Sequence, residues 1–445
     1  MNMELATTDR TDGAWDQVVT DTRVHRSVYA DPSIFQHEMA SIFAGTWVYL
    51  LHESEIPNAN DFRAARLGSR PVIVTRDAKN QLHVLMNRCT HRGATICREK
   101  SGQAATFTCP YHGWRFKNDG KLMGVPGRDA YGNAFSRDRF SLGRAPRVES
   151  YRGFVFATLN QEAPDLETHL GQARFFIDQW LDQGGGDGLV VQSSAHRFHL
   201  KCNWKLIFDN AGDGYHVPFS HQSLLKMTAD RYGGGDMTYF GDADKSSMRV
   251  YDLGNGHTLI DQREEMYNPS AWKQQRPQPG RETFEGSVAA RKPQDEQSST
   301  LDMAVGSGMN LNIFPNLLLI GNQIQVIEPL SVGETILTWY ATTLDGVDEE
   351  VNVMRMRTQE DFPILGETDD AANFEACQQG LMSIPEEEWV DISRHVTTNT
   401  DRAERDGIVS GPVTSDLHLR AYFRRWKELM KVKPNIQTRP EGDAQ

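Results

Sequence analysis

No run of about eighteen consecutive apolar residues occurs in the chain, so nothing in it reads as a bilayer-spanning helix. The opening stretch MNMELATTDRTDGAWDQ has neither an apolar segment nor an Arg-rich amphipathic pattern, which argues against a targeting leader and for a cytoplasmic setting. Positive charge is also short: 47 Lys and Arg stand against 60 Asp and Glu, a formal net charge of −13. A basic footprint for nucleic acid or an anionic membrane is therefore missing, which leaves small molecules and proteins as partners. Cysteine is scarce, with five residues (Cys89, Cys97, Cys109, Cys202 and Cys377) spread over 445 positions. An odd, scattered set excludes a disulfide framework and fits reduced thiols and metal ligation. Cys97, Cys202 and Cys377 have no ligand-spaced partners and read as small core residues. There is no internal repeat, no low-complexity tract, and no GxGxxG behind a strand, so any reductant must come from outside the chain.

What is present divides into segments. Asp31-Pro32, then Phe35, Met39, Ile42 and Phe43, then Gly45 combine a cap, a first-turn proline, a helical apolar stripe and a glycine stop. From Trp47 to Asn160 short β-rich runs such as Val72-Ile73-Val74 and Phe154-Val155-Phe156-Ala157 alternate with Gly, Asn and Asp turns, the pattern of a small antiparallel β domain. Helical spacing follows in Leu166, Leu170, Phe175, Phe176 and Trp180. Strand texture returns in Leu317–Ile320, Gln325–Ile327 and Thr335–Tyr340, and Leu419, Tyr422, Phe423, Trp426 and Met430 form a closing amphipathic helix that docks on its own core. The expected organisation is an N-terminal helical segment over 1–45 packing on the catalytic domain, a small all-β domain over 46–160, and a larger α+β domain over 161–445. The second domain is expected to hold an antiparallel sheet flanked by helices, with 228–307 as a polar lid or loop region.

Two thiols and two imidazoles fall in Cys89-Thr90-His91 and Cys109-Pro110-Tyr111-His112, with seventeen residues between His91 and Cys109. That donor set can hold a tetrahedral zinc or a 2Fe–2S cluster in which histidines replace cysteines on one iron. Zinc fingers give each loop one ligand type. Here each loop is mixed and can give its Cys to one iron and its His to the other, while Gly93 and Gly113 let the backbone approach.

A second constellation lies in Asn203-Trp204-Lys205-Leu206-Ile207-Phe208-Asp209-Asn210-Ala211-Gly212-Asp213-Gly214-Tyr215-His216-Val217-Pro218-Phe219-Ser220-His221. Asp209, Asp213 and His216 have i, i+4, i+7 spacing, which predicts one helix face, and Pro218 disturbs the helix before His221. Two imidazoles lack one anionic oxygen to complete the 2-His-1-carboxylate triad of non-haem Fe(II). Glu367, Asp369 and Asp370 all offer it, and spacing does not choose among them.

The first set, in the form CTHRGA and CPYHGWRF, resembles the Rieske proteins, and with the second set it resembles the large (alpha) subunits of Rieske non-haem iron aromatic-ring-hydroxylating oxygenases over nearly the whole chain. The resemblance implies a helix-grip catalytic domain. It implies that Cys89 and Cys109 bind the inner iron of the cluster, that His91 and His112 bind the outer one, and that His216, His221 and Asp370 hold the mononuclear iron. Asp213 is implied as the carboxylate that links His216 to His112 of the adjacent subunit, which requires a homotrimer, alone or as an alpha3beta3 assembly with a small subunit. Many relatives have Glu at the position of Asp209, which leaves the role of that acid open. The implied reaction uses O₂ and electrons from NAD(P)H, delivered by a flavin reductase directly or through a ferredoxin, to cis-dihydroxylate an aromatic ring. The sequence looks closest to the subunits acting on aromatic acids such as benzoate, salicylate or cumate. Asn210, Asn312 and Phe314 are pocket positions. The same ligands serve monohydroxylation or oxidative demethylation; a Rieske electron-transfer protein without oxygenase activity is the reading from another class.

Overall fold

The computed structural model describes residues 13–133, 135–182, 188–223, 226, 247–263, 281–294, 297, 308–398 and 400–438. These divide into two compact units, one within Met1–His37 and Leu170–Lys431, the other within Glu38–His169 and Val432–Gln445. The boundaries expected from sequence differ at the edges. Residues 38–45 belong with the β unit, and so does the end of the chain, where Asn160 bridges to Ile436 and the Arg144 N–H donates to the Thr438 carbonyl.

The β unit is built from three antiparallel sheets. In the four-stranded one Leu82–Met86, Arg70–Arg76, Asp61–Leu67 and Ser101–Gln103 lie side by side. A three-stranded sheet joins Thr106–Thr108, Arg115–Lys117 and Leu122–Gly124, and another joins Arg147–Tyr151, Phe154–Thr158 and Val48–His52. Val48–His52 and Phe154–Thr158 are buried at every position, which explains their unbroken apolar runs. Phe62, Ile73, Leu85, Trp114 and Phe116 form one core that includes Cys89 and Cys109, so the two cluster loops rest on a buried apolar core.

The second unit carries a nine-stranded antiparallel sheet. In spatial order its strands are Gly188–Leu200, Glu334–Asp345, Gln323–Ser331, Leu317–Ile320, Met309–Ile313, Thr258–Asp261, Arg249–Asp252, Val409–Pro412 and Arg402–Ala403. Arg249–Asp252 and Thr258–Asp261 fall inside the segment expected to be a lid. They read as loop because each is four residues long and polar at its ends, yet both are paired on two sides within the sheet. Most of the remainder of that segment lies outside the described residues, apart from the helix Arg281–Arg291 and short pieces around it.

The helix Trp204–Ala211 lies against the strands Met309–Ile313 and Gln323–Ser331. Asn203 caps it, its side chain accepting the Lys205 N–H at 3.2 Å, and Gly212 ends it. The expectation that Asp209, Asp213 and His216 share one helix face is therefore corrected. Asp213 lies beyond the helix end, and His216 and His221 bracket a separate single-turn helix, Val217–Ser220, with Pro218 in its first turn, where a missing N–H costs nothing. The closing helix Leu417–Lys431 buries Tyr422, Phe423, Trp426 and Met430 of its expected stripe together with Leu417, His418 and Ala421, while Leu419 is half-buried. Cys97 and Cys202 are buried as expected, whereas Cys377 is exposed on the helix Glu367–Ser383. No helix among the described residues is long and apolar enough to cross a membrane.

Leu319 sits fully buried in the fourth of the nine strands, flanked on both sides by partners. Leu319→Ala should cost about 2–5 kcal/mol of stability through lost burial and the cavity left behind, read as a lower denaturation midpoint.

Candidate metal centres

In the β unit the two loops repeat one backbone motif. The Cys89 N–H donates to the Ala94 carbonyl at 2.8 Å and the Gly93 N–H to the Cys89 carbonyl at 2.9 Å; the Cys109 N–H donates to the Trp114 carbonyl at 2.7 Å and the Gly113 N–H to the Cys109 carbonyl at 3.0 Å. Gly93 and Gly113 have φ of +79° and +73°, the left-handed region that lets each loop close. The histidine is two residues after the cysteine in the first loop and three in the second, and their rings come within 4.6 Å, centroid to centroid. His91 stacks flat on Trp114 at 4.7 Å, and the Tyr131 hydroxyl lies 3.3 Å from its Nε2.

The structure thus brings Cys89, His91, Cys109 and His112 to one place, and its chemistry suits a cluster. His91 Nδ1 is buried without a hydrogen-bond partner, although Nε2 has one. Burial, followed by the adjoining Cys109 thiol, pushes the Cys89 thiol up from its ordinary value, so the two sulfurs are close neighbours. Two crowded sulfurs and an unsatisfied imidazole nitrogen are a donor set that a 2Fe–2S cluster would complete.

In the other unit, His216, His221 and Asp370 each present a ligand atom, and these atoms lie within 4.8 Å of one another. Asp370 Oδ1 is 3.6 Å from His216 Nε2 and 3.4 Å from His221 Nε2. The opposite nitrogens face other acids: His216 Nδ1 lies 3.4 Å from Asp213, and His221 Nδ1 lies 3.5 Å from Asp369. The three acids that spacing could not separate therefore occupy three different places. Asp370 faces both imidazoles and Asp369 backs one of them. Glu367 is buried, with Oε1 unpartnered and burial keeping its carboxyl well above the usual carboxylate range. All three open the helix Glu367–Ser383, where the helix dipole favours negative charge. His216 Nδ1 is buried and makes no hydrogen bond of normal length. Two imidazoles and a carboxylate converging at these separations suit a divalent iron with positions left open.

Burial opposes the ionised form of Asp213, but His216, His418 and the Tyr215 N–H outweigh it and hold the carboxyl below its ordinary value. Burial likewise pulls on His216, and Asp213 and then Asp370 more than offset it, so its pKa is raised. Asn210 donates to Asp370 Oδ1 at 3.4 Å. Asn312 is buried, donates to Thr258 at 3.0 Å and leaves its Oδ1 unpartnered. Phe314 is held among the rings of Trp204, Phe208 and Tyr422, a core position.

Sequence reasoning missed three residues that hold this site. Tyr29 donates to Asp209 Oδ2 at 2.8 Å and Tyr422 donates to Oδ1, so the acid left without a role is a clamp between the N-terminal segment, the closing helix and Trp204–Ala211, the iron-site helix, which leads into the candidate iron site. His418 lies beneath the same turn. None carries a local signal: Tyr422 reads only as one aromatic of a helix stripe, and Tyr29 and His418 belong to no motif.

A cluster on two mixed loops and a facial site for a second iron are the equipment of an oxygenase fed by a one-electron relay. Comparison with known proteins agrees. Residues 46–151 match the Rieske [2Fe-2S] domain, and residues 189–432 match the ring hydroxylating alpha subunit (catalytic domain). The large subunit of 2-halobenzoate 1,2-dioxygenase from Burkholderia cepacia is 35% identical over 412 residues, 88% of this chain and 85% of that one. The alpha subunit of toluate 1,2-dioxygenase from Pseudomonas putida is 32% identical over 426 residues, 87% and 88% of the two chains. A structure of naphthalene 1,2-dioxygenase with indole in the active site shares the fold, with a TM-score of 0.77 at 24% identity over 94% of this chain and 95% of that one. The chain belongs to the Rieske ring-hydroxylating oxygenases as an alpha, catalytic subunit, with a 2Fe–2S cluster and a mononuclear iron as its cofactors.

The Asp209 clamp gives a pH-dependent prediction. Burial pushes its carboxyl up to about 7 against the two phenol donors, from an ordinary 3.8. Between these values the unfolded chain has released a proton that the folded chain keeps, so stability falls as pH rises from about 4 to about 7. Asp209→Asn should remove that slope, so denaturation midpoints compared at about pH 5 and about pH 7.5 should move in the variant's favour at the higher pH.

Proposed function

We propose that this subunit cis-dihydroxylates the ring of an aromatic carboxylic acid, with His216, His221 and Asp370 as the iron ligands. The observation that carries the ligand set is the convergence of two Nε2 atoms on one Asp370 oxygen; the relatives named for halobenzoate and toluate support the substrate class. Iron bound there supplies activation of O₂, and the cluster on Cys89, His91, Cys109 and His112 supplies electrons one at a time. The balanced reaction joins arene, O₂, two electrons and two protons into one cis-dihydrodiol, the electrons arising from NAD(P)H through a separate reductase, alone or with a ferredoxin.

The chain's own residues then have distinct work. Asp369 and Asp213 face the outer nitrogens of the two imidazoles and fix their tautomer and orientation, leaving each Nε2 lone pair toward Asp370. Asn210 holds Asp370 through its amide, and Asn210 and Asn312 offer polar contacts at the substrate pocket. Asp213 serves a second purpose as the link between His216 and His112 of a neighbouring copy, in a head-to-tail homotrimer or its alpha3beta3 form. Exposed Tyr111 beside His112 and exposed Tyr215 and Phe219 beside Asp213 suit such a contact between copies.

Purified enzyme should hold about three irons and two acid-labile sulfides per chain. Asp370→Ala should lower this to about two irons with an unchanged Rieske spectrum and no turnover; an unaltered third iron would refute the ligand. Asp213→Ala should keep both centres and abolish turnover, and normal turnover would refute the bridge. Incubation with ¹⁸O₂, a surrogate reductase and a panel of aromatic acids should give a diol carrying two labelled oxygens, whereas a single labelled oxygen would mark a monooxygenase.

A further inference from the structure

His418 lies in the first turn of the helix Leu417–Lys431 and is 2% exposed. Its ring is pressed against the end of the iron-site helix. A Cβ placed on Gly212 would come within 2.7 Å of the His418 Cδ2 and 3.0 Å of its Cβ and Cγ, so the residue before Asp213 has room only as glycine. Both ring nitrogens meet backbone carbonyls: Nδ1 lies 3.2 Å from the Ser415 oxygen and Nε2 lies 3.1 Å from the Asp209 oxygen. A carbonyl oxygen only accepts, and a neutral imidazole carries a single N–H. The neutral ring can satisfy one carbonyl and must turn a lone pair on the other, whereas the doubly protonated ring satisfies both.

The charged groups around the ring are few. Asp213, from the turn after the iron-site helix, favours the cation. Arg420, two residues along the same helix, disfavours it, but its guanidinium is held by Asp401 at 3.0 Å and by the Arg394 carbonyl at 3.1 Å. The Asp209 carboxyl is occupied by Tyr29 and Tyr422, and Asp416 accepts the Arg394 N–H at 2.8 Å. Burial is the largest influence and pulls the ring down from the ordinary histidine value. The two-carbonyl geometry argues the other way, because the penalty of a buried carbonyl facing a lone pair falls on the neutral form alone. The Asp209 carbonyl also belongs to the last turn of its helix, where partial negative charge accumulates and a cation is favoured.

We propose that His418 is a positioning residue for electron transfer, held as an imidazolium that ties the 209–213 turn to the closing helix and keeps the Asp213 carboxylate in place. The role rests on the reading of Asp213 as the bridge between subunits. When the ring loses its second proton, one carbonyl loses its donor and Asp213 loses a neighbouring positive charge, so transfer slows as pH rises.

Two measurements on the full-length, iron-loaded enzyme test this. Deuterium exchange at each imidazole Cε1–H, read by mass spectrometry across pH, reports the titration of His418 without any substitution. A midpoint above that of free histidine is expected, and one below it overturns the charged ring. Single-turnover oxidation of the pre-reduced cluster by O₂ in the presence of substrate, followed by absorbance, should slow in the wild type above that midpoint. His418→Gln should keep the iron, the sulfide and the Rieske spectrum, run about tenfold slower, and show no alkaline fall; a variant with the wild-type rate and pH limb overturns the proposal. Should that variant fail to take up iron, coincidence of the wild-type limb with the exchange midpoint supports the proposal and a mismatch overturns it. Failure of the parent reading looks different: a wild-type cluster that stays reduced under O₂ while His418 titrates high removes the bridge and leaves the charged ring.

Discussion

A metal-binding imidazole keeps one nitrogen for the metal and one for the protein, and whatever faces the second nitrogen fixes the first. Here that constraint is met twice from one short stretch. His216 and His221 stand at the two ends of a single-turn helix, so their rings approach each other at 5.4 Å between centroids, and each is faced by Asp370 on one side and by its own carboxylate on the other. Asp213, Asp369 and Asp370 gathered around two imidazoles repel one another without a cation, so iron binding and the local fold are thermodynamically linked. The start of the helix Glu367–Ser383 makes that gathering tolerable, since unpaired N–H groups of a first turn offset negative charge. Glu367 marks the limit of that tolerance: burial first, and then the neighbouring Asp370, push its carboxyl well above the usual carboxylate range.

The cluster loops solve a related problem by repetition. Two identical backbone turns, each closed by a left-handed glycine, place two cysteines in the core and two histidines at its edge. The one-residue difference in where the histidine falls breaks the symmetry just enough for the rings to meet at an angle of 68° instead of colliding. Exposure follows the same division: both cysteines are buried, while His112 sits beside an exposed Tyr111. A relay needs an insulated core and an accessible edge, and the turn geometry supplies both.

Legibility in the sequence tracked how local each feature is. The Cys89-to-His112 pattern, the paired histidines and the closing helix are all written in spacings of a few residues, and the structure assembles each of them. The helix face proposed for Asp209, Asp213 and His216 was wrong because spacing carries no record of where a helix stops; Gly212 ends it, for a reason visible only when the His418 ring is seen against it. Arg249–Asp252 and Thr258–Asp261 were hidden because four-residue strands with polar ends owe their conformation to their neighbours in the sheet. The long edge strand Gly188–Leu200 was hidden for the same reason, being mostly exposed along its second half. The acid at the iron site could be narrowed to three by sequence; only the fold shows that one of them faces both imidazoles.

The clamp on Asp209 shows what such local reading cannot reach and why it matters for chemistry. Tyr29 and Tyr422 are almost four hundred residues apart, yet both hydroxyls end on one carboxylate in the last full turn of the helix whose end leads to Asp213. An eight-residue helix has little intrinsic stability, so without those anchors its C-terminal turn would fray. Fraying would move Asn210 away from Asp370 and Asp213 away from His216, disturbing the set of side chains around the two imidazoles. The two ends of the catalytic unit therefore do more than close its fold: by holding Asp209 from one side and the Asp209 carbonyl from the other, they set the position of the turn that brings Asn210 to Asp370 and Asp213 to His216.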